Sequence, residues 1–431
     1  MRQKRTRSQL SWAFYDWANS AFATTVMAGF FPLFFKQYWS QGTEATISTF
    51  WLGLGNSAAS FTILLLAPLL GALADSGGIH KRLLAGFALL GIVSTAGFFL
   101  IEAGAWQWAI ALYFVAFIGF SGANVFYDAM LPSLTGATDL HKLSALGYSL
   151  GYLGGGVLFL VNVAMTLKPD FFGLADASEA VRYSFLSVAI WWFVFMLPLL
   201  LGVDGLPAAT EKRTLSVRRD VKKVVSTLKE IRTHRNLWMF LLAYWFYIDG
   251  VATIIRMAVD YGMAIGLPAN SLITALLLVQ FIGFPATLVF GRIGQRFGAK
   301  TGLWIGLWVY MIATVCATFM TSSLEFYALA VALGLVQGGV QSLSRSLFGQ
   351  LIPPGKSGEY FGFLNMLGKA AAVLGPLLVG VVAATTGNSR IGLLSILVLF
   401  IAGMWFLRKV EDSVPPPITH NTTTANNVSS S

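Results

Sequence analysis

The stretch Gly71-Ala-Leu-Ala-Asp75-Ser-Gly-Gly78-Ile-His-Lys81-Arg82 has a partner in Gly291-Arg-Ile-Gly-Gln295-Arg296-Phe-Gly298-Ala-Lys300, 220 residues further along the chain. Both run glycine, a polar acceptor four positions on, a glycine three further, then a base. Each falls in a short polar break between two long apolar blocks, the pattern of an internal repeat. A second pair supports it. Leu131-Pro132 and Ile352-Pro353, 221 residues apart, each close an apolar block and precede a short polar turn and a glycine-rich block. The repeated turn has two readings. Glycine can bring helix ends together while acid and bases lock across one face, as a gate would; or the motif is only a tight, positively flanked turn.

The blocks around these turns decide the class. Of the 431 residues 56% are hydrophobic and 11% charged, and a soluble chain carries about a quarter charged residues. Charge is therefore too scarce to coat a water-facing surface. A membrane-crossing helix needs about 20 mostly apolar residues. Twelve blocks qualify, near Leu10–Tyr38, Ser48–Ala74, Leu83–Ile101, Trp106–Leu131, Ser144–Leu167, Tyr183–Val203, Leu237–Ile265, Ser271–Phe290, Gly302–Met320, Phe326–Leu351, Phe361–Ala384 and Ile391–Leu407. The first and seventh exceed the minimum, so they tilt, bend or protrude. The expected fold class is an all-α membrane protein, with about twelve transmembrane helices in two parallel six-helix repeats. The expected organisation is residues 1–203 as one bundle, 204–235 as a basic linker, 236–409 as a second bundle, and 410–431 as a disordered tail. The linker has two readings, a surface amphipathic helix around Val217–Ile231 tracking anionic headgroups or a solvated connection. The basic start followed by apolar residues superficially fits a signal peptide. Asp16 and Asn19 make it too polar and the run to Tyr38 too long, so it is expected to be the first span.

Basic residues in alternate loops are distributed 22 against 4. The excess lies on the side of the N-terminus, the repeated turns, the linker and Arg408-Lys409. By the positive-inside rule this side is cytoplasmic, with both termini on it, in a cell inner membrane. The net charge of +10 is thereby explained without nucleic-acid binding, which is not expected.

The paired turns resemble the signature of the major facilitator superfamily, and twelve spans in two halves agree with it over nearly the whole chain. More narrowly, Tyr15-Asp16-Trp17-Ala18-Asn19-Ser20-Ala21-Phe22 is similar to the opening motif of the vacuole-effluxer family, whose fungal members are autophagy-related amino-acid exporters. Asn124-Val-Phe126-Tyr-Asp128-Ala-Met-Leu131-Pro132 and Glu359-Tyr-Phe361-Gly362, followed by Gly368-Lys369 and Gly375-Pro376, resemble the same family. The resemblance implies a secondary transporter with the major facilitator fold, working by alternating access on a small polar metabolite, with amino acids the family's implication. Multidrug-type efflux of amphipathic compounds and a non-transporting sensor or scaffold are the competing functions.

Ionisable groups at mid-span cost about 2.5–3.5 kcal/mol or more, so they mark pathways or fixed internal pairs. Asp16, with Asn19 beside it, and Asp249 stand in the first span of each half as possible repeat counterparts. Each has a pathway role or, for Asp16, an interfacial position beside Trp12 and Trp17 as its reading. Asp249, Arg256 and Asp260, at i, i+7 and i+11, share a helical face, and Arg256 can pair with Asp260. Ser121, Asn124 and Asp128 form one polar stripe, and Gln337, Gln341 and Arg345 another, readable as cavity lining or as polar glue between helices. Lys369, midway along the eleventh block, is expected to pair with a carboxylate such as Asp249 or to hold a substrate carboxylate. The gating turns contribute Gly71, Asp75, Gly78 and Arg82, and Gly291, Gln295, Arg296, Gly298 and Lys300. Gly147, Gly151 and Gly155 read as small-residue packing that slides as the halves rock.

No nucleotide loop, HExxH or nucleophile–base constellation appears, so an enzyme, a cofactor and a metal are not expected. His80, His141, His234 and His420 fall in expected loops or the tail. Cys316 reads as a small packing residue. The expected partners are a small-molecule substrate, a proton or other coupling ion, and a bilayer with anionic headgroups around a monomer.

Overall fold

A computed structural model describes residues 2–42, 45–77, 79–136, 139–204, 217–264 and 266–411. Gly78, much of the linker and the tail beyond 411 lie outside the described residues, as do the side chains of Arg256 and Asp260.

Among the described residues the regular structure is helical, and twelve helices are long and apolar enough to cross a membrane. In chain order, spans 1 to 6 are Thr6–Trp39, Trp51–Asp75, His80–Leu100, Trp106–Leu134, Leu140–Leu167 and Ala177–Gly202. Spans 7 to 12 are Arg235–Ile255, Ser271–Phe297, Ala299–Ala317, Ser323–Leu351, Ser357–Ala383 and Arg390–Arg408. The linker helix, Val217–Thr233, lies between the two sets. This is a multi-pass membrane protein. Within the long first span, Phe22–Phe30 and Phe35–Trp39 wind as π-helix on either side of a short α-helical turn, Phe31–Phe34, that holds Pro32.

The apolar side chains sort into two main cores. One runs from Trp12 to Val203 and the other from Ile231 to Val410, the latter also taking in Ala129. In the first, Phe31 stacks on Tyr113 at 4.2 Å between ring centres and Trp39 stacks on Phe185 at 5.7 Å. Offset aromatic pairs of this kind add about 0.5–1.5 kcal/mol beyond their buried area.

Two helix pairs make the most extensive contacts between the halves: span 2 against span 11, and span 5 against span 8. Glycine sets how closely they approach. A Cβ on Gly71 would lie 1.9 Å from the Gly358 carbonyl oxygen, and one on Gly362 2.5 Å from that of Ala67. On the other seam, Gly291 rests on Ala145 and Gly156 on Gln280. The stripe Gly147, Gly151, Gly155 corrects its expected role. Gly151 and Gly155 face Ser20 and Thr24 of span 1 within their own half, and Gly147 faces Asp16 and Tyr127 with Arg345 of the other half beside it, so most of the stripe sets packing inside one half. Cys316 is also corrected: it is exposed on the outer surface rather than packed inside.

The linker helix is docked. Ile231 is fully buried, Thr227 donates to the Glu359 carboxylate, and Lys356 Nζ stands 2.8 Å from both oxygens of Glu230. The Lys356 hydrogen bonds hold the Glu230 carboxyl below the ordinary carboxylate range. That contribution is present above the unfolded pKa and is lost as pH falls through the depressed folded one. Both side chains are more than a third exposed, so it amounts to less than about 1 kcal/mol.

Candidate functional site

At the face carrying the start of span 1, the Asp75 turn and the linker helix, called here the basic face, charged side chains cross between the halves. Asp75 ends span 2, and its two oxygens accept the backbone N–H groups of Gly358 and Glu359, at 2.8 and 2.9 Å, in the first turn of span 11. These are orphan donors of a helix start, where the helix dipole also favours a negative charge. His80 Nε2 stands 3.1 Å from the same carboxylate. The second copy of the turn makes different contacts. Gln295 donates to Asp139 at 3.4 Å, Arg296 lies over Phe297, and Lys300 donates to the Arg408 and Val410 carbonyls. Gly298 has φ +87°, a backbone angle that requires glycine. Arg82 is exposed.

One layer deeper, Arg345 of span 10 reaches across into the first half. Nη1 is 3.1 Å from Asp128 Oδ1 and 3.6 Å from Asp16 Oδ2. Nε donates to Ser144 Oγ at 2.9 Å and Nη2 to the Ser144 carbonyl at 2.8 Å. The guanidinium carbon lies 4.2, 5.0 and 5.3 Å from the ring centres of Tyr148, Trp12 and Tyr127. Tyr127 donates its hydroxyl to Asp16, and Asn365 of span 11 donates to Asp128. The expected stripes of spans 4 and 10 thus meet at their charged ends.

Toward mid-depth, Asn19 donates to Asn124 at 2.6 Å, Tyr152 to Gln341 at 3.2 Å, and Gln280 to Thr24 at 2.6 Å. Gln337 also neighbours Tyr152. Lys369, one helical turn beyond Asn365 and partly buried, holds its ammonium 4.6 Å from the centre of the Phe117 ring, across the divide. Asp249 is fully buried, and both its oxygens accept from the Gly375 N–H, at 3.0 and 3.1 Å. Its place mirrors that of Asp16. In each half the first-span carboxylate lies against a fifth-span glycine, Gly147 for Asp16 and Gly375 for Asp249, with a hydroxyl residue one turn on, Ser20 and Thr253.

The histidine expectation is corrected. His80 and His141 are buried in the first turns of spans 3 and 5, not in loops. His141 Nδ1 is 2.7 Å from Ser346 Oγ across the halves, and Gln350 approaches its Nε2. Sequence reasoning also passed over Ser144, Tyr148 and Asn365. The signal was available on span 5, where His141, Ser144, Tyr148 and Tyr152 repeat at i, i+3, i+7 and i+11, one polar face of a helix.

A two-halved, twelve-helix bundle whose cross-half polar contacts run from one end toward mid-depth can be compared with known proteins. The profile of the family described as vacuole effluxer Atg22 like matches residues 4–142 and 136–413. The chain belongs to this family. An uncharacterized MFS-type transporter of Bacillus subtilis, YxiO, is 38% identical over 97% of this chain and 98% of its own length. The autophagy-related protein 22 of Yarrowia lipolytica is 27% identical over 63% of this chain and 50% of its own length, so the match spans half of that fungal relative. Among solved structures, the human organic anion transporter MFSD10 has a TM-score of 0.70 at 16% identity, covering 94% of this chain and 99% of that one. This vacuole-effluxer-like chain has the major facilitator fold, and it is a transporter rather than an enzyme.

Proposed function

We propose that this vacuole-effluxer-like protein moves a small zwitterionic metabolite of the amino-acid class by alternating access. In this reading the basic face is cytoplasmic, both termini lie on it, and the membrane is a cell inner membrane. One observation carries the substrate class: groups of both signs stand along the divide between the halves, the Asp128 carboxylate held by Asn365 and the Lys369 ammonium against Phe117. Asp128 bonds Asn365, and Lys369 follows Asn365 by four residues. An α-amino acid likewise presents one group of each sign. With no nucleotide-binding motif in the sequence, a proton or other ion gradient is the proposed energy source. The fungal relatives' name connects them with autophagy, and the family description supplies the efflux direction as the first one to test.

The test is counterflow in proteoliposomes against a panel of amino acids, sugars and lipophilic cations. Amino-acid exchange that Asp128→Asn reduces by at least about tenfold, the equivalent of 1.4 kcal/mol, is expected. Exchange of only lipophilic cations would favour multidrug efflux. Reporters fused after Arg408 and within 204–235 should both report cytoplasm, and a signal from the far side for either would overturn the orientation.

In the same reading, Asp75 on the start of span 11 is a lock that must open for cytoplasmic access. Asp75→Asn weakens two charge-assisted bonds. It is expected to increase thiol labelling at cysteines placed near the basic face while expression is unchanged. Equal labelling would reduce Asp75 to a turn residue.

A further inference from the structure

The pocket that holds Arg345 belongs almost wholly to the opposite half. Trp12 and Asp16 come from span 1, Tyr127 and Asp128 from span 4, and Ser144 and Tyr148 from span 5, whereas Arg345 enters from span 10. Spans 1, 4 and 5 pack within one half, so the pocket persists as a unit when the other half moves. Its shape is that of a guanidinium receptor. Aromatic rings stand on the planar cation, carboxylates meet one nitrogen, and a hydroxyl and a carbonyl meet the others.

Space is reserved for the cation as well. A Cβ on Gly147 would lie 3.0 Å from Arg345 Nη2 and 3.1 Å from Asp16 Oδ2. The site is also nearly dry, with Trp12 and Ser144 at 0% exposure, Tyr127 at 1% and Asp16 at 8%. Opening the basic face must withdraw Arg345, because it is anchored in the half that moves away. Two carboxylates would then face each other in a poorly solvated aromatic pocket, a strongly unfavourable arrangement unless a positive charge replaces the lost one.

We infer that this pocket is a binding site for an organic cation carrying a guanidinium or primary ammonium head, and that such a cation takes the place of Arg345 when the basic face opens. Arg345 is then an internal occupant that a ligand must displace. The inference rests on the alternating-access reading and narrows its substrate class to molecules with a cationic head beyond the zwitterion, such as the side chain of arginine. It predicts differential affinity for one conformation, which is what a ligand needs in order to shift a population.

The probes are L-arginine and L-citrulline, nearly equal in shape, of which only arginine carries the guanidinium charge. The reporter is a cysteine replacing Ala129, which is 1% exposed beside a cavity of about 420 Å³ at the basic face. It is introduced with Cys316→Ser so that no native thiol reacts. Arginine is expected to raise the labelling rate of Ala129→Cys with an apparent affinity at least about tenfold better than citrulline's, as a lost charge-assisted contact requires. Adding Asp128→Asn should erase the difference. Direct binding of arginine and citrulline to the unaltered chain, followed by calorimetry, supplies the same comparison if that variant does not fold.

Equal responses to arginine and citrulline, no response to either, or an opening that follows pH alone would overturn the inference. Counterflow separates the two readings. Neutral amino acids exchanging while arginine leaves labelling unchanged defeats the cation site only. A panel without amino-acid exchange, alongside an intact arginine effect, defeats the transport reading only.

Discussion

Arg345→Ala is expected to destabilise the folded protein by about 3–5 kcal/mol, the usual cost of removing one partner from a buried charge cluster. The loss has identifiable parts. Asp128 loses a 3.1 Å partner and Asp16 one at 3.6 Å, leaving two carboxylates close together with little water. Ser144 loses bonds to its hydroxyl and its carbonyl, and three aromatic rings lose the cation on which they pack. Thermal unfolding in detergent should show a large drop in midpoint. Arg345→Lys should recover only part of it, since an ammonium cannot reproduce the planar fork. Combining Arg345→Gln with Asp16→Asn and Asp128→Asn should recover most of it, because the neutral set strands no charge. An unchanged midpoint for Arg345→Ala would mean that the cluster is solvated and contributes little.

That cluster also marks the limit of what the sequence makes legible. The twelve spans are readable because hydrocarbon imposes a length of apolar helix on every crossing, and each of the twelve expected blocks overlaps an observed span. The repeat is readable because two glycine turns recur at fixed distance. Asp16, Asp128 and Arg345 are each conspicuous as charges inside apolar blocks. Their convergence is not, since 217 residues separate Asp128 from Arg345 and no local spacing encodes a contact between halves. The residues that complete the pocket are harder still. Tyr148, Tyr127 and Trp12 look like ordinary membrane aromatics until a cation is seen among them. Ser144 looks like the polar start of a span.

The glycines show the same division. In Gly147, Gly151 and Gly155 the spacing correctly signals close packing, but it says nothing about which helix is approached: Gly151 and Gly155 meet span 1 of the same half, and Gly147 also meets Tyr127 and Arg345. In Gly71 the turn motif signals a functional turn, yet the residue it touches, Gly358, belongs to no repeated motif. Asp75 likewise suggests an ion-pair lock with the neighbouring bases. Its cross-half partners are instead two backbone N–H groups, which no side-chain pattern reveals.

Gly71→Ala is expected to prevent full closure of the basic face without unfolding either half. The added methyl would stand 1.9 Å from the Gly358 carbonyl oxygen and 2.5 Å from its carbonyl carbon, far inside the ~3.3 Å of a normal C–H···O contact. Neither obstacle is a side chain that can rotate away, so spans 2 and 11 must separate. The strain falls between the halves and leaves the packing inside each one untouched. Overpacking costs about 1–3 kcal/mol, which shifts a closed-to-open ratio by about 5–150-fold. Labelling of Ala129→Cys in the Cys316→Ser background should therefore rise, and counterflow should fall because one end of the cycle is disfavoured. Gly86→Ala is the control: it lies within span 3, and an added Cβ meets nothing within 4 Å, so labelling and transport should match the parent. Expression and the thermal midpoint of Gly71→Ala should stay near the parent's, which separates a shifted equilibrium from misfolding. Parental labelling in Gly71→Ala would show that the backbone contact between Gly71 and Gly358 does not limit closure.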